Sequence, residues 1–134
     1  MKILISPKII ETHVGQFEYV LDKKWFLFLS NIFGDIDLFL PEHNQKKIDL
    51  IILTGGNDLL KFKLDKKNSI RHKQDKKLFE YAVKKNIPLI GICYGAQFIA
   101  ENLNCKLGKV KKHIGKHEIH IFKNKISFFK KNKK

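Results

Sequence analysis

The sequence feature that most constrains the fold is the stretch 87–97, which reads Ile-Pro-Leu-Ile-Gly-Ile-Cys-Tyr-Gly-Ala-Gln. Within it, the apolar run Leu89 to Ile92 has the length and branching of a buried parallel strand. After the break at Gly95, apolar residues recur with the spacing of one helix face at Ala96, Ile99, Ala100 and Leu103. We therefore expect Cys93 on a sharp turn between a strand and a helix.

Such a turn gives Cys93 an environment that suits a nucleophile. The first amides of the helix point at the thiol, and their partial positive charge favours a thiolate and any oxyanion formed beside it. Gly91 and Gly95 carry no side chain that would collide with the neighbouring backbone. A lone Cys at a strand end is ordinarily a small buried hydrophobe, so the flanking pattern carries the interpretation.

Residues 91–97, Gly-Ile-Cys-Tyr-Gly-Ala-Gln, resemble the nucleophile elbow Gly-x-Cys-x-Gly-x-Gln of class I glutamine amidotransferases, and are most similar to their gamma-glutamyl hydrolase-like branch. The resemblance implies a flavodoxin-like α/β sandwich of three layers with a mainly parallel sheet. It also implies that Cys93 is the catalytic nucleophile, that the Tyr94 amide is an oxyanion donor, and that Gln97 lies near the substrate.

A second motif follows the apolar run Ile48 to Leu53, which leads into Thr-Gly-Gly-Asn-Asp at residues 54–58. Taken alone, this is either a simple turn or a ligand-facing loop at the carboxyl end of a strand. The motif is similar to the Gly-Gly loop of the same family. That similarity implies that the Gly56 amide is the second oxyanion donor and that Gly55 contributes to substrate binding.

The remaining pattern predicts alternating strands and helices: a strand Lys2 to Ser6, a helix from Phe17 to Gly34, a strand Ile36 to Leu40, a surface loop Lys61 to Asn68 and a helix Asp75 to Lys85 closed by Asn86. The first helix carries an aromatic stripe, which is typical of a core face rather than of a base-stacking surface. Arg71 and Asp75 resemble polar positions that the family often carries ahead of its elbow strand.

Composition predicts one domain over 1–134, because 43% of the residues are hydrophobic. Without an apolar span of 18 residues, we expect a soluble cytoplasmic protein that makes no membrane contact. The two cysteines do not form a disulfide framework, and Cys105 is expected to be a core thiol. The net charge of +14 comes from lysines spread along the chain, so nucleic-acid binding is a distant alternative.

No cofactor or metal is expected. His113, His117 and His120 are candidate zinc ligands, but in a strand from Glu118 to Phe122 the side chains of His117 and His120 would point to opposite faces. No Cys-x-x-Cys or His-Glu-x-x-His pattern completes a site.

The chain departs from the family in its acid–base residues. Class I amidotransferases carry His-x-Glu far downstream of the cysteine, and no His-x-Glu occurs here. The resemblance therefore covers about the first two thirds of the family's domain. We expect the domain formed by this chain to be incomplete. His117 is an unsupported substitute, better explained as a strand residue.

Two hypotheses remain open. The first is a Cys hydrolase of glutamine or another gamma-glutamyl compound, completed by another polypeptide or coupled to an ammonia-accepting synthetase. The second is a truncated relic that acts as an interaction module without turning over substrate.

Overall fold

The computed structural model describes residues 1–42 and 47–108. The elements in chain order are β1 (Lys2–Ser6), β2 (Lys8–His13), β3 (Gln16–Val20), α1 (Lys24–Phe33), β4 (Asp37–Phe39), β5 (Leu50–Leu53), α2 (Lys66–Lys85), β6 (Leu89–Gly91) and α3 (Tyr94–Asn102).

Four of the strands form a parallel sheet in the order β4-β1-β5-β6. Counted among these four strands alone, the order is second, first, third, fourth, which matches the beginning of the flavodoxin-like arrangement. The connections through α2 and from β1 to β4 are long enough for the crossovers that parallel neighbours require. The predicted flavodoxin-like α/β fold with a mainly parallel sheet is confirmed.

Successive residues of a strand point to opposite sides, so the apolar strands of this sheet have two faces to bury. Helices cover both of these faces. On one face, Leu4, Ile51 and Leu53 pack in a core with residues of α2 and α3 that include Leu78, Ala82, Tyr94 and Phe98. On the other face, the buried cluster is Ile3, Ile5, Leu50, Ile52 and, from α1, Leu29. The sheet is thus the middle layer, and its carboxyl edge lies between α1 and α3.

The prediction of a helix beginning at Phe17 was wrong. Residues Gln16–Val20 form β3, which pairs antiparallel with β2 in a separate hairpin whose turn contains Gly15 at φ 81°. Burial alternates along β3, with Phe17 and Tyr19 half-buried, and this period of two favours a strand. The helix itself begins at Lys24.

The aromatic stripe of α1 is also only partly a core face. Leu29 is buried, whereas Phe28 is 53% exposed and Ile32 is 54% exposed. Trp25 is half-buried against the cluster around Leu29 and meets Phe28 edge to face, with ring centroids 6.1 Å apart. The described part of the chain therefore leaves much of α1 uncovered.

The predicted surface loop Lys61 to Asn68 is confirmed for residues 61–65 but not for residues 66–68, and the predicted start of the second helix at Asp75 was wrong. Helix α2 already begins at Lys66, and the Asp65 side chain caps it by accepting a hydrogen bond from the Asn68 amide. Its first turns are rich in lysine, a good helix former that also favours exposed loops, so composition alone does not separate the two. The predicted end is confirmed by Asn86, which has left-handed φ of 52°.

Cys105 is exposed, so the prediction of a core thiol was wrong. Helix α3 ends at Asn102, so Cys105 lies beyond the helix, after the left-handed Asn104 with φ of 59°. The proposed strand Glu118 to Phe122 and the three histidines of residues 113–120 lie outside the described residues. Within the described ranges, none of the helices combines the length and the apolar character needed to span a membrane.

Replacing Gly95 by Ala should destabilise the protein by about 3 kcal/mol, at the upper end of ordinary overpacking costs. A Cβ on Gly95 would lie 2.0 Å from the Leu53 carbonyl oxygen, and a backbone carbonyl cannot move aside as a flexible side chain can. Urea unfolding measures the effect. Gly108→Ala is the matched control, since a Cβ there meets no atom of the described residues within 4 Å. Equal stability of the two variants would contradict the close packing of α3 on β5.

Candidate active site

Three loops meet where the parallel strands β1, β5 and β6 reach their carboxyl ends. Pro7 follows β1, the glycines Gly55 and Gly56 follow β5, and Cys93 follows β6. The strand order reverses between β1 and β5, and open parallel sheets place their ligand sites outside the carboxyl ends at such a point. The two sequence motifs are therefore brought to one edge of the sheet.

Cys93 lies on the predicted turn between β6 and α3. Its φ of 54° and ψ of −112° are a conformation that residues with a side chain rarely adopt, and such strain costs about 1–3 kcal/mol. Two backbone hydrogen bonds close the turn: the Ile92 amide donates to the Leu53 carbonyl at 2.9 Å, and the Gly95 amide donates to the Ile92 carbonyl at 3.0 Å. The turn therefore holds the thiol exposed above the sheet.

The small residues of the elbow are required by backbone contact. A Cβ on Gly91 would lie 2.5 Å from the Gly95 carbonyl carbon and 2.6 Å from the Ala96 amide nitrogen. The sequence argument for glycine at both flanks is confirmed, since the strand before Cys93 and the helix after it touch directly.

The Gly-Gly loop lies against the elbow. A Cβ on Gly55 would lie 3.0 Å from the Cys93 Cβ and 3.5 Å from its Sγ, which places this backbone directly beside the thiol. Gly56 has φ of 102°, and a Cβ there would lie 2.7 Å from the Cδ of Lys8. Both glycines are thus needed, one for close approach and the other for conformation.

Side-chain hydrogen bonds hold this loop on both sides. Asn57 pairs with the backbone of Ile9 in the hairpin: its Oδ1 accepts from the Ile9 amide at 2.9 Å, and its Nδ2 donates to the Ile9 carbonyl at 3.0 Å. Asn68 of α2 accepts from the Asp58 amide at 3.1 Å. The loop is therefore tied to the hairpin and to α2.

The oxyanion donors that the resemblance implies can be located in this arrangement. Tyr94 is the first residue of α3, so its amide has no acceptor within the helix. Gln97 is exposed one turn later in α3, and its backbone amide donates to the Cys93 carbonyl at 3.1 Å. The Gly56 amide belongs to the loop that lies beside Cys93.

Behind the loops is a buried ion pair between Arg71 and Asp75, one turn apart on α2. Arg71 Nε and Asp75 Oδ2 are 2.7 Å apart, and both side chains are 0% exposed. Arg71 also donates to the backbone carbonyls of Pro7, Ser6 and Thr54. The resemblance indicated these two positions, but no pattern in the sequence predicted which groups they contact.

Burial is the main cause of the pKa shifts at and beside this pair. Burial raises the pKa of Asp75, an effect that outweighs the opposing influence of Arg71 and of the hydrogen bond from Ser6. Burial, followed by the proximity of Asp75, also raises the pKa of Tyr94. The Tyr94 hydroxyl is buried without a hydrogen-bond partner among the described residues.

Histidine does not complete the site within the part of the chain that the structure describes. His72 of α2 meets Phe98 of α3 edge to face, with ring centroids 5.2 Å apart, and its Nδ1 has no hydrogen-bond partner among the described residues. His13 lies in the hairpin opposite Gln16. No group of His, Cys, Asp and Glu among residues 1–42 and 47–108 has the arrangement of a metal site.

A parallel α/β sheet with a strained cysteine at a strand–helix turn defines a protein of the nucleophile-elbow class. The family model of class I glutamine amidotransferases matches residues 32–134. The chain belongs to this family, as its elbow and its Gly-Gly loop had indicated.

Two curated relatives are consistent with this assignment. The chain is similar to the gamma-glutamyl-CDP-amidate hydrolase of Campylobacter jejuni, with 40% identity over 68 residues that cover 51% of this chain and 34% of that protein. It is also similar to the glutamine-hydrolyzing GMP synthase of Plasmodium falciparum, with 37% identity over 78 residues, or 58% of this chain and 12% of that protein. The chain thus spans only 34% of the first relative and 12% of the second. No solved structure matches significantly.

Cys93 should react faster than Cys105 with iodoacetamide near neutral pH. Both thiols are exposed, so accessibility does not separate them, but Cys93 lies at the N-terminus of α3, where helix amides favour negative charge, whereas Cys105 follows the C-terminal end of that helix. Partial labelling followed by peptide mass spectrometry gives the ratio within one molecule. Equal labelling, or a preference for Cys105, would show that the turn does not activate its cysteine.

Proposed function

We propose that the protein is a cysteine hydrolase of gamma-glutamyl amides, with Cys93 as nucleophile and the amides of Gly56 and Tyr94 as oxyanion donors. The observation that carries the proposal is the contact between the Gly-Gly loop and the elbow, where Gly55 approaches the Cys93 thiol. Membership of the class I glutamine amidotransferase family supports the same chemistry.

In the proposed reaction, the Cys93 thiolate attacks the carbonyl carbon of the gamma-carboxamide and a C–S bond forms. The carbonyl oxygen becomes an oxyanion, which the two amides stabilise by donating hydrogen bonds. Collapse of this intermediate breaks the C–N bond, and the departing amine takes a proton. Water then hydrolyses the glutamyl thioester, which releases glutamate and restores the thiol.

The substrate class follows from the family and from the relatives. Both relatives are named for the hydrolysis of glutamine or of a gamma-glutamyl compound, and we propose a substrate of that kind here. Gly55, which lies against the thiol, and Gln97, on the first turn of α3, are the residues that we propose bind the glutamyl part. Two free cysteines are compatible with a reducing, cytoplasmic setting.

The proton transfers need a base that the described site does not provide. No His-x-Glu occurs among the 134 residues. We therefore propose that these groups come from outside this sequence, on a complementing polypeptide or within an ammonia-accepting synthetase assembly.

The uncovered surface beside the elbow supports a complementing chain. In the described part of the protein, β6 pairs with β5 alone, so its other edge is open. On the face of the sheet that α1 covers, Ile90 is 44% exposed and Ile92 is 38% exposed. Ile92, Trp25 and Phe28 line an open cavity of about 330 Å³. The same surface supports the second candidate, an interaction module that binds a partner without turnover.

An activated substrate tests the nucleophile without needing the base. A gamma-glutamyl p-nitrophenyl ester releases nitrophenolate, which leaves without taking a proton. We expect a burst of about one nitrophenolate per chain, because acylation of Cys93 proceeds while the thioester turns over slowly. Stopped-flow absorbance measures the burst. It should persist in Cys105→Ala and vanish in Cys93→Ala, and a burst that survives Cys93→Ala would refute the assignment.

Glutamine itself should be hydrolysed by the 134-residue chain far more slowly than about one turnover per second, a rate typical of enzymes. Loss of a triad histidine typically costs several orders of magnitude, and the amide leaving group needs its proton. Ammonia release, compared with Cys93→Ala, measures this. Enzyme-like turnover that depends on Cys93 would show that a base is present in the chain, and the histidines should then be mutated one by one.

A further inference from the structure

We propose that Arg71 is the positioning residue of the oxyanion hole, which holds the Gly-Gly loop and the elbow at a fixed separation. This inference rests on the proposed function. Arg71 is fully buried, and it touches the backbone ahead of one proposed donor and the side chain of the other.

The first contact fixes the loop. Arg71 Nη2 donates to the Thr54 carbonyl at 3.0 Å and to the Ser6 carbonyl at 3.1 Å. The Thr54 carbonyl shares its peptide plane with the Gly55 amide, so this contact fixes the direction in which the chain enters Gly55 and Gly56. Arg71 therefore ties the start of the Gly-Gly loop to the end of β1.

The second contact fixes the elbow. The Arg71 guanidinium lies over the Tyr94 ring, 5.0 Å from its centroid, in the geometry of a cation–π interaction. Tyr94 is the residue directly after Cys93, and its ring is 1% exposed. One planar group thus contacts Tyr94 itself and, on the other side, Thr54, which lies two residues before Gly56.

Asp75 keeps the guanidinium in this plane. Its Oδ2 accepts from Arg71 Nε, and its Oδ1 accepts from the Ser6 hydroxyl. Gln74 Nε2 donates to the same Ser6 hydroxyl at 2.7 Å, so the carboxylate is held from two directions. The ion pair also compensates the charge of Arg71, which could not otherwise remain buried.

A purely stabilising role explains this arrangement poorly. Buried ion pairs contribute little net stability compared with apolar residues of similar volume, because both charges lose their hydration. Here the donors of Arg71 that do not bind Asp75 go to backbone carbonyls at the carboxyl ends of β1 and β5. A fork of fixed geometry at that place sets the distance between two loops, which a flexible Lys cannot reproduce.

Two electrophiles separate positioning from thiol reactivity. Iodoacetamide reacts by direct displacement: the thiolate forms a C–S bond with its methylene carbon, iodide leaves, and no oxyanion develops. The chloroketone analogue of glutamine is attacked at its ketone, so an oxyanion forms before chloride leaves and a thioether results. The ratio of the two rates at Cys93, each normalised to Cys105 in the same molecule, reports the oxyanion hole.

We expect Arg71→Lys to lower the ratio of the chloroketone rate to the iodoacetamide rate by about 10- to 100-fold, the effect of moving a catalytic group by about 1 Å. The iodoacetamide rate itself should stay within about twofold of that of the unmodified protein. Lys77→Met, an exposed position on the same helix, is the control and should leave both rates unchanged. Circular dichroism and urea unfolding verify the fold. If Arg71→Lys does not fold, Asp75→Asn takes its place, and a smaller drop in the ratio is expected.

The possible outcomes distinguish this inference from the proposed function. If the unmodified protein has no preference for the chloroketone at Cys93, the proposed oxyanion hole fails and Arg71 has nothing to position. If the preference exists but survives the change of Arg71, or of Asp75 where that variant is used, the positioning role is wrong. An equal fall of both rates would assign Arg71 a structural role alone and would also overturn the inference.

Discussion

The architecture of the site depends on one close backbone contact, between the start of α3 and the end of β5. Gly95 approaches the Leu53 carbonyl so closely that no other residue fits there. Because Leu53 also accepts from the Ile92 amide, the same carbonyl supports both sides of the turn. Cys93 lies between Ile92 and Gly95, and these contacts restrict its backbone conformation. Its strained φ of 54° is the consequence.

The buried Arg71–Asp75 pair adds an electrostatic frame to this steric one. It lies below the loops, and its polar groups are satisfied largely by carbonyls of β1, β5 and the residues that follow them. A charged pair in that position is costly to bury, and it makes the relative placement of the loops sensitive to a single side chain. Its cost is the kind that proteins accept at functional sites rather than in ordinary cores.

Apolar surface near the elbow contrasts with the well-packed opposite face. On the side of α2 and α3, Leu53, Leu59 and Phe98 are almost fully enclosed. On the side of α1, Phe28, Ile32 and Ile90 keep much of their surface exposed within the described part of the chain. This difference explains why an amphipathic pattern read from the sequence overestimated how much of α1 is buried: the period shows which residues share a face but not what covers them.

Much of the fold was accessible from local patterns, because strands β1, β5 and β6 are short apolar runs and the elbow is dictated by its glycines. The hairpin at Gln16–Val20 was missed because its apolar residues also fit helical spacing up to Trp25, and the early start of α2 was missed because lysine-rich segments suit loops and helices alike. The exposure of Cys105 depends on where α3 ends.

The sequence by itself determined the nature of the site: Cys93 between two glycines after a strand, and a Gly-Gly pair after another, can be read without coordinates. Only the tertiary structure decided that Gly55 lies against the thiol and that Arg71 spans both loops. The physical reason is that backbone strain and turn chemistry are local, whereas contacts across the sheet depend on the register and order of strands far apart in the chain.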